Sequence, residues 1–260
     1  MHIQSIQSFS YNKTYKQNVF RGCSRDYRDS TLRFAIETEG LISTYTQAFR
    51  EDMEWTELSK VFDENFKDND KVKLYSLACS DGSEAYTLAI SLLENTQNPT
   101  KFFPITALDK DEVIIEFAKN KRINLSNSEL GRIKAASHLG KEYFVDKDQF
   151  IKIKGETRND NSCYSYSPIR ILKDNIKFEQ GDILDFLKKI EDNGNSIILC
   201  RNVFPYLSVD SHYDILKVLE QKLKAGSLFV IGQYDIHACI DKKLLNHGFE
   251  KISSLIFRKI

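Results

Sequence analysis

The chain has 260 residues, 41% of them hydrophobic and 28% charged, and 37 Lys and Arg offset 37 Asp and Glu to a formal net charge of zero. That composition suits a soluble globule with one large domain and small appendages, and it lacks the basic footprint that nonspecific nucleic-acid binding needs. No apolar run approaches the ~20 residues of a membrane span, and MHIQSIQSFSYNKTYKQ lacks the apolar core of a signal peptide, so a cytoplasmic protein with no membrane insertion is expected.

Residues 1–60 read as a short helical segment after a polar start. Arg21, Arg25, Arg28 and Arg33 are spaced to share much of one helix face, and residues 1–36 carry an excess of four positive charges. A solvated face accounts for this, and so does a docking face for an acidic helical partner.

Residues 61–260 read as an α/β domain. The stretch 74–90, LYSLACSDGSEAYTLAI, is an apolar strand, a turn of small residues (Ala78-Cys79-Ser80-Asp81-Gly82) and an amphipathic helix opened by Ser83-Glu84. Strand, turn and helix in this order present a nucleotide-like ligand at the carboxyl edge of an open sheet. The turn is a poor phosphate cradle: it has one glycine where a dinucleotide fingerprint has three, and no P-loop lysine follows. Glu84 would also repel a phosphate. A cationic or neutral ligand suits it better, and the adenosyl sulfonium of S-adenosylmethionine (SAM) is one. An ordinary βα turn is the plainer alternative.

The second strand, Phe102 to Leu108, ends in Asp109-Lys110-Asp111 before a helix from Glu112 to Lys121. An acid at this point catches a ribose diol, its two oxygens accepting both hydroxyl protons. Asp109 follows the strand directly and is taken as the ligand-facing carboxylate. Either acid can cap the helix instead.

Residues 122–174 are far too many for a βα-type connection and mark an insertion. Within it, Ser126 to Lys134 reads as a short helix. Tyr143 to Asp146, Gln149 to Lys154 and Ser162 to Leu172 read as strands, with a turn at 155–161.

A third strand, Asn175 to Gln180, delivers Gly181-Asp182 ahead of a helix from Ile183 to Lys189. Asp182 can face an adenine edge or simply cap that helix. The fourth strand, Ser196 to Cys200, runs into Arg201-Asn202-Val203-Phe204-Pro205-Tyr206, an unusual set of residues for the mouth of an apolar strand. A structural Tyr206 under the sheet is the alternative to a functional one. Cys79 and Cys200, both at strand ends, read as reduced packing residues. The five histidines show no ligand spacing, and no metal site is expected.

A helix from Asp210 to Leu223 precedes Ala225-Gly226, a strand from Ser227 to Gly232 and a helix from Ile236 to Asn246. The chain closes with strands Phe249 to Ser253 and Leu255 to Lys259. A tight turn between them makes this last pair antiparallel.

Together these motifs resemble the CheR-type chemotaxis-receptor methyltransferases, which are protein-glutamate O-methyltransferases. The family's turn, roughly A-x-C-S-[ST]-G-E-E-P-Y-S, is matched by Ala78 to Thr87. Its acid-x-acid step is matched by Asp109-Lys110-Asp111, and its C-R-N-V-x-x-Y box by Cys200-Arg201-Asn202-Val203 and Tyr206. Its T-x-F-F-R-E segment is matched by Thr46-Gln47-Ala48-Phe49-Arg50-Glu51. The resemblance spans about residues 44–260. It implies a class I SAM-methyltransferase (Rossmann-like) mixed sheet with an antiparallel last strand, and a small antiparallel β-subdomain inserted after the second βα unit.

The resemblance also implies roles. Thr46 and Arg50 would close over the cofactor and Ala78 would line it. Glu84 and Asn202 would meet its amino-acid end or ribose, Asp109 the ribose hydroxyls and Asp182 the adenine. Arg201 and Tyr206, with Arg50, would meet the accepting carboxylate. The implied cofactor is SAM, leaving as S-adenosylhomocysteine (SAH), and the implied partner is an acidic chemoreceptor helix met by a monomer. In this family the insertion binds a receptor tail peptide in some members by strand addition.

Three departures stand against this. Ser83 replaces the first acid of the usual pair, Ala85 replaces the proline, and Gln233-Tyr234-Asp235 replaces a His-Ser-Glu-like step. They leave the acceptor open between a protein carboxylate and a small molecule, with a SAM-binding module of little catalysis as a third reading. A nucleobase amino-methyltransferase would want contiguous Asn-Pro-Pro-Tyr, and the spacing here is wrong.

Overall fold

The computed structural model describes residues 46–138, 140–151 and 163–260. The stretch carrying Arg21, Arg25, Arg28 and Arg33 and the turn expected at 155–161 lie outside them. Helix α1 (Trp55–Asn65) precedes strand β1 (Lys73–Leu77), and the small-residue turn then opens α2 (Ser83–Asn95). Strand β2 (Ile105–Asp109) and α3 (Glu112–Lys119) complete the second βα unit. The insertion folds as β3 (Ile123–Ser126), α4 (Asn127–Ala136), β4 (Phe144–Gln149), β5 (Cys163–Pro168) and α5 (Arg170–Asn175). Then come β6 (Ile176–Gln180), α6 (Ile183–Lys189), β7 (Ser196–Leu199), α7 (Val209–Lys222) and β8 (Leu228–Val230). Helix α8 (Ile240–Asn246), β9 (Phe249–Lys251) and β10 (Ile256–Lys259) end the chain.

The main sheet has seven strands in the order β6-β2-β1-β7-β8-β10-β9. From β6 to β8 all neighbours are parallel, while β10 runs antiparallel to both β8 and β9. The insertion forms its own three-stranded antiparallel sheet, β3-β5-β4. This is the class I mixed sheet that the sequence predicts. Strand order reverses between β1 and β7, and such a reversal opens a crevice at the carboxyl ends of the two strands.

Side chains alternate across the sheet with the period of two that strands impose. Leu74, Ile197, Leu199, Leu228, Val230 and Ile256 face one core with α1, α2 and α4. Leu77, Ile198, Phe229, Ile231 and Phe257 face the other with α6, α7 and α8. A strand buried on both faces reads as a continuous apolar run, which is why β7 and β8 stand out in the sequence.

Several boundaries move for identifiable reasons. Residues Pro99–Phe102 form a 3-10 turn and Pro104 lacks a donor, so β2 starts at Ile105 rather than Phe102. The strand expected over 162–172 stops at Pro168, and Arg170–Asn175 is helical. The helix expected over 236–246 splits into a 3-10 turn, Gln233–Ala238, and α8, with Cys239 between them at φ 57°. Helix α1 runs through position 60, where the N-terminal segment was expected to end. It docks on α2, where the Ser59 and Ser91 hydroxyls meet at 2.7 Å and Ser91 also donates to the Trp55 carbonyl at 2.8 Å.

Candidate functional site

The turn after β1 is built from left-handed residues: Ala78 at φ 55°, Ser80 at 51° and Gly82 at 88°. Glycine is required only at the last. A Cβ there would stand 2.7 Å from Cε1 and Cζ of Phe178, so the backbone is packed against the edge of that ring. Left-handed non-glycine residues cost on the order of 1 kcal/mol each and persist where surrounding contacts hold them. Here the winding turns the Ser80 amide toward Asp109.

Asp109 is fixed at the end of β2 by two backbone donors. Its Oδ2 accepts the Ser80 N–H at 2.8 Å and its Oδ1 the Asp111 N–H at 3.0 Å. Burial pushes this carboxyl above the ordinary range, and the two amides pull it back. Asp111, not Asp109, caps α3 by accepting from Val113 and Ile114. The Gly181 N–H donates to the Asp109 carbonyl at 2.9 Å, bringing the end of β6 alongside. Asp182 is exposed there and caps α6, its Oδ1 accepting from Leu184 and Asp185.

Between the ends of β1 and β7 runs a chain of charged groups. Glu84 accepts from the Ser76 hydroxyl at 2.8 Å and from Arg201 Nη1 at 2.9 Å. Arg201 Nη2 reaches Asp52 at 2.6 Å, and Asp52 also accepts from Asn202 Nδ2 at 2.8 Å and stands 3.3 Å from Arg50 Nε. Arg50 lies 5.2 Å from the Tyr234 ring centre and Arg201 lies 4.7 Å from that of Trp55. The Trp55 indole donates to the Arg50 carbonyl. Asn202, at φ 58°, accepts the Tyr234 N–H on its Oδ1 at 3.0 Å. Gly232 lets that amide lie flat, since a Cβ there would come within 2.3 Å of Asn202 Oδ1.

Arg201 is placed beneath Trp55 rather than at the rim. Its side chain is 2% exposed, under Trp55, and both Nη atoms are committed to carboxylates. Its place is to hold Glu84 and Asp52 at a fixed separation. Arg50, 20% exposed, is the guanidinium at the rim.

The loop after β7 is pinned by a residue the sequence singled out only as part of a departure. Asp235 is fully buried and accepts from Gly232, Asn202, Val203 and Phe204 backbone amides at 2.6–3.0 Å. Burial pushes its carboxyl up to about 7 against the pull of those donors. His212, lowered by burial, supports the same loop through Nε2 at 2.7 Å from the Phe204 carbonyl. Tyr206 ends this loop and is 45% exposed, so it is not a core ring.

Structure thus brings Arg50, Glu84, Arg201 and Asn202 together and sets Asp109 and Asp182 along the adjacent strand ends. Sequence reasoning missed Asp52, which joins them, although it lies directly after the Arg50-Glu51 match. It also missed Ser76, Trp55 and the anchoring role of Asp235. Thr46 begins the described chain beside this segment.

The donor set fits an adenosyl sulfonium. Asp52, Glu84 and Asp109 outweigh Arg50 and Arg201, and the Gly82 turn is packed against the edge of Phe178 rather than ringing an anion. A groove of about 370 Å³ at the rim is lined by Glu51, Asp52, Glu54 and Glu57 with Met53 and Leu255, which adds negative charge. Among the described residues no group of three or more His, Cys, Asp or Glu could hold a metal ion. Cys79 and Cys200 are free and buried, and burial pushes both thiols well above their usual range, so neither is a nucleophile.

Comparison with known proteins gives a family. The model of the CheR methyltransferase, SAM binding domain, matches residues 44–244. A chemotaxis protein methyltransferase of Listeria monocytogenes is 27% identical over 169 residues, which is 62% of this chain and 53% of that protein. One from Vibrio anguillarum is 25% identical over 210 residues, 79% of this chain and 69% of that protein. The chain thus spans about half the length of the first of these relatives. Among solved structures, precorrin-6y C5,15-methyltransferase from Geobacter metallireducens aligns at a TM-score of 0.38 and 12% identity, over 79% of this chain and 78% of that one.

Proposed function

Because the chain belongs to the CheR methyltransferase family through its SAM binding domain, we propose that it transfers a methyl group from SAM to a protein carboxylate, a glutamate side chain of a chemoreceptor-like partner. The observation that carries this reading is the Glu84–Arg201–Asp52–Asn202 chain, set beside the tethered Asp109 at the crevice where strand order reverses.

SAM supplies an electrophilic methyl on a sulfonium, and a glutamate with pKa about 4.3 meets it already ionised at pH 7. No general base is needed for attack by an ionised carboxylate. Asp109 accepts the ribose hydroxyls, its oxygens aimed by the Ser80 and Asp111 amides. Glu84 and Asp52 place negative charge near the sulfonium while Arg201 keeps them apart. Asp182, which caps α6 and is exposed at the end of β6, is read as the group that meets the adenine amine.

Charge is lost as carboxylate and sulfonium neutralise each other, so the gain comes from in-line positioning and from removing water around the carboxylate. Arg50 orients the acceptor by a charge-assisted hydrogen bond from the rim, and Tyr206 meets it from the opposite loop. The protein acts in the cytoplasm on an acidic helix, with the arginines of residues 1–36 as the attracting charge.

Methyl-labelled SAM incubated with the protein and a lysate of its source organism tests this. Base-labile label on a membrane receptor is the expected result; label in small solutes would favour a small-molecule acceptor, and no label a binding module. Tyr206→Phe should lower turnover while leaving SAH affinity within a few-fold. Equal loss of SAH binding would place the tyrosine in the cofactor pocket instead.

A further inference from the structure

Glu129 lies on α4 of the insertion, remote in sequence from every residue assigned to the site. It is 1% exposed and forms a capping box with Ser126, its Oε2 accepting the Ser126 N–H at 2.8 Å and the Ser126 hydroxyl at 2.7 Å. A capping box needs only one carboxylate oxygen for this. The other, Oε1, accepts the N–H of Ala48 at 2.9 Å, across 81 residues of chain. One turn further along α4, Arg132 Nε donates to the carbonyl of the same Ala48 at 3.2 Å. Both backbone groups of one residue are therefore held by the insertion's helix.

Ala48 sits midway between Thr46 and Arg50. The next residue, Phe49, is left-handed at φ 48°, a conformation a bulky residue keeps only when its neighbours enforce it. Its N–H donates to Thr87 Oγ1 at 2.9 Å, and Thr87 in turn donates to the Ser83 carbonyl in the first turn of α2. The segment is thus bent between two anchors. One is α2, which starts at the cofactor turn, and the other is the insertion.

We infer that the insertion is a clamp for the cofactor segment, with Glu129 and Arg132 as positioning residues that set where Thr46 and Arg50 stand. This rests on the reading that Thr46 and Arg50 meet SAM. Without Glu129 the Ala48 amide loses its buried acceptor, and the insertion's hold on the bend is left to Arg132. The segment then has to be ordered by the ligand, which lowers affinity without touching any atom that contacts the ligand.

Calorimetry with SAH separates this from a merely structural role. Glu129→Ala should weaken SAH binding about tenfold at unchanged stoichiometry. Ser126→Ala breaks the same capping box but leaves the Ala48 contact, and should bind SAH like the parent. Amide exchange of the ligand-free protein should quicken at Ala48 in Glu129→Ala and not in Ser126→Ala. If Glu129→Ala does not fold, Arg132→Met releases only the Ala48 carbonyl and should weaken SAH about fivefold. Equal losses in the Glu129 and Ser126 variants, or parental affinity in Glu129→Ala or Arg132→Met, would overturn the clamp while leaving the functional reading intact. A parent protein that does not bind SAH overturns both.

Discussion

Asp109 has two backbone donors and a half-buried position, and these pull its titration in opposite directions. Burial is the larger influence, so the carboxyl of the free protein sits above its ordinary value of 3.8. A raised carboxyl favours the protonated native state, so its contribution to stability is present at low pH and lost as pH rises through the raised value. Ribose hydroxyls need the ionised form as acceptor, so SAH binding runs the other way. Affinity should be flat near pH 7 and fall as pH drops through the raised value. Asp109→Asn keeps the shape and one acceptor, and should cut affinity about tenfold at pH 7 while flattening the acid limb, as calorimetry across pH would read. An unchanged acid limb in Asp109→Asn would remove the ribose assignment. Arg201 shows the complementary lesson. Its side chain is 2% exposed and bridges Glu84 and Asp52, so any role toward the acceptor runs through those two carboxylates.

At the scale of elements, the loop after β7 is the part that short-range pattern explains least. Asn202, Val203 and Phe204 all donate to one carboxylate 31–33 residues away, and that carboxylate also accepts from Gly232. Asp235→Asn replaces an oxygen with an amide group that cannot accept, leaving buried N–H groups unpaired. It should cost about 2–4 kcal/mol in urea unfolding and release Asn202, with SAH affinity falling too. Full stability in Asp235→Asn would mean the loop is held by packing alone. The strands and helices of the main sheet were legible because β1, β7 and β8 carry apolar runs bounded by turn residues, and α3, α6 and α7 begin at Asp or Ser caps. Strand β3 was not, because four residues with a buried Asn124 give no period. Helix α5 was read as a strand because Arg170–Asn175 is under two turns long. Asp52 and Asp235 look like any surface acids in sequence; besides the near neighbours Arg50 and Gly232, their partners lie 31–150 residues away, and only the fold supplies them.

At the scale of the whole molecule, the crevice joins parts far apart in sequence, which a shared core and specific hydrogen bonds bring together. The segment from Thr46 to Asp52 is held by the insertion and α2, Glu84 by β1 and the loop after β7, and Asp109 by the turn after β1. A ligand spanning these parts binds the native state and not the unfolded chain, so it raises unfolding free energy by mass action. With SAH at 100 times its dissociation constant the gain is about 2.7 kcal/mol. For a chain of this length that corresponds to a rise in melting temperature of about 5–10 °C. In Asp109→Ala, with affinity tenfold lower, the same SAH concentration is only about ten times the dissociation constant, and the gain falls to about 1.4 kcal/mol. Differential scanning calorimetry of parent and variant, each with and without SAH, reads both shifts. The variant's shift should be about half the parent's. A parent that melts at one temperature regardless of SAH would sink the cofactor assignment, while equal shifts in the two proteins would leave SAH bound but move its ribose away from Asp109.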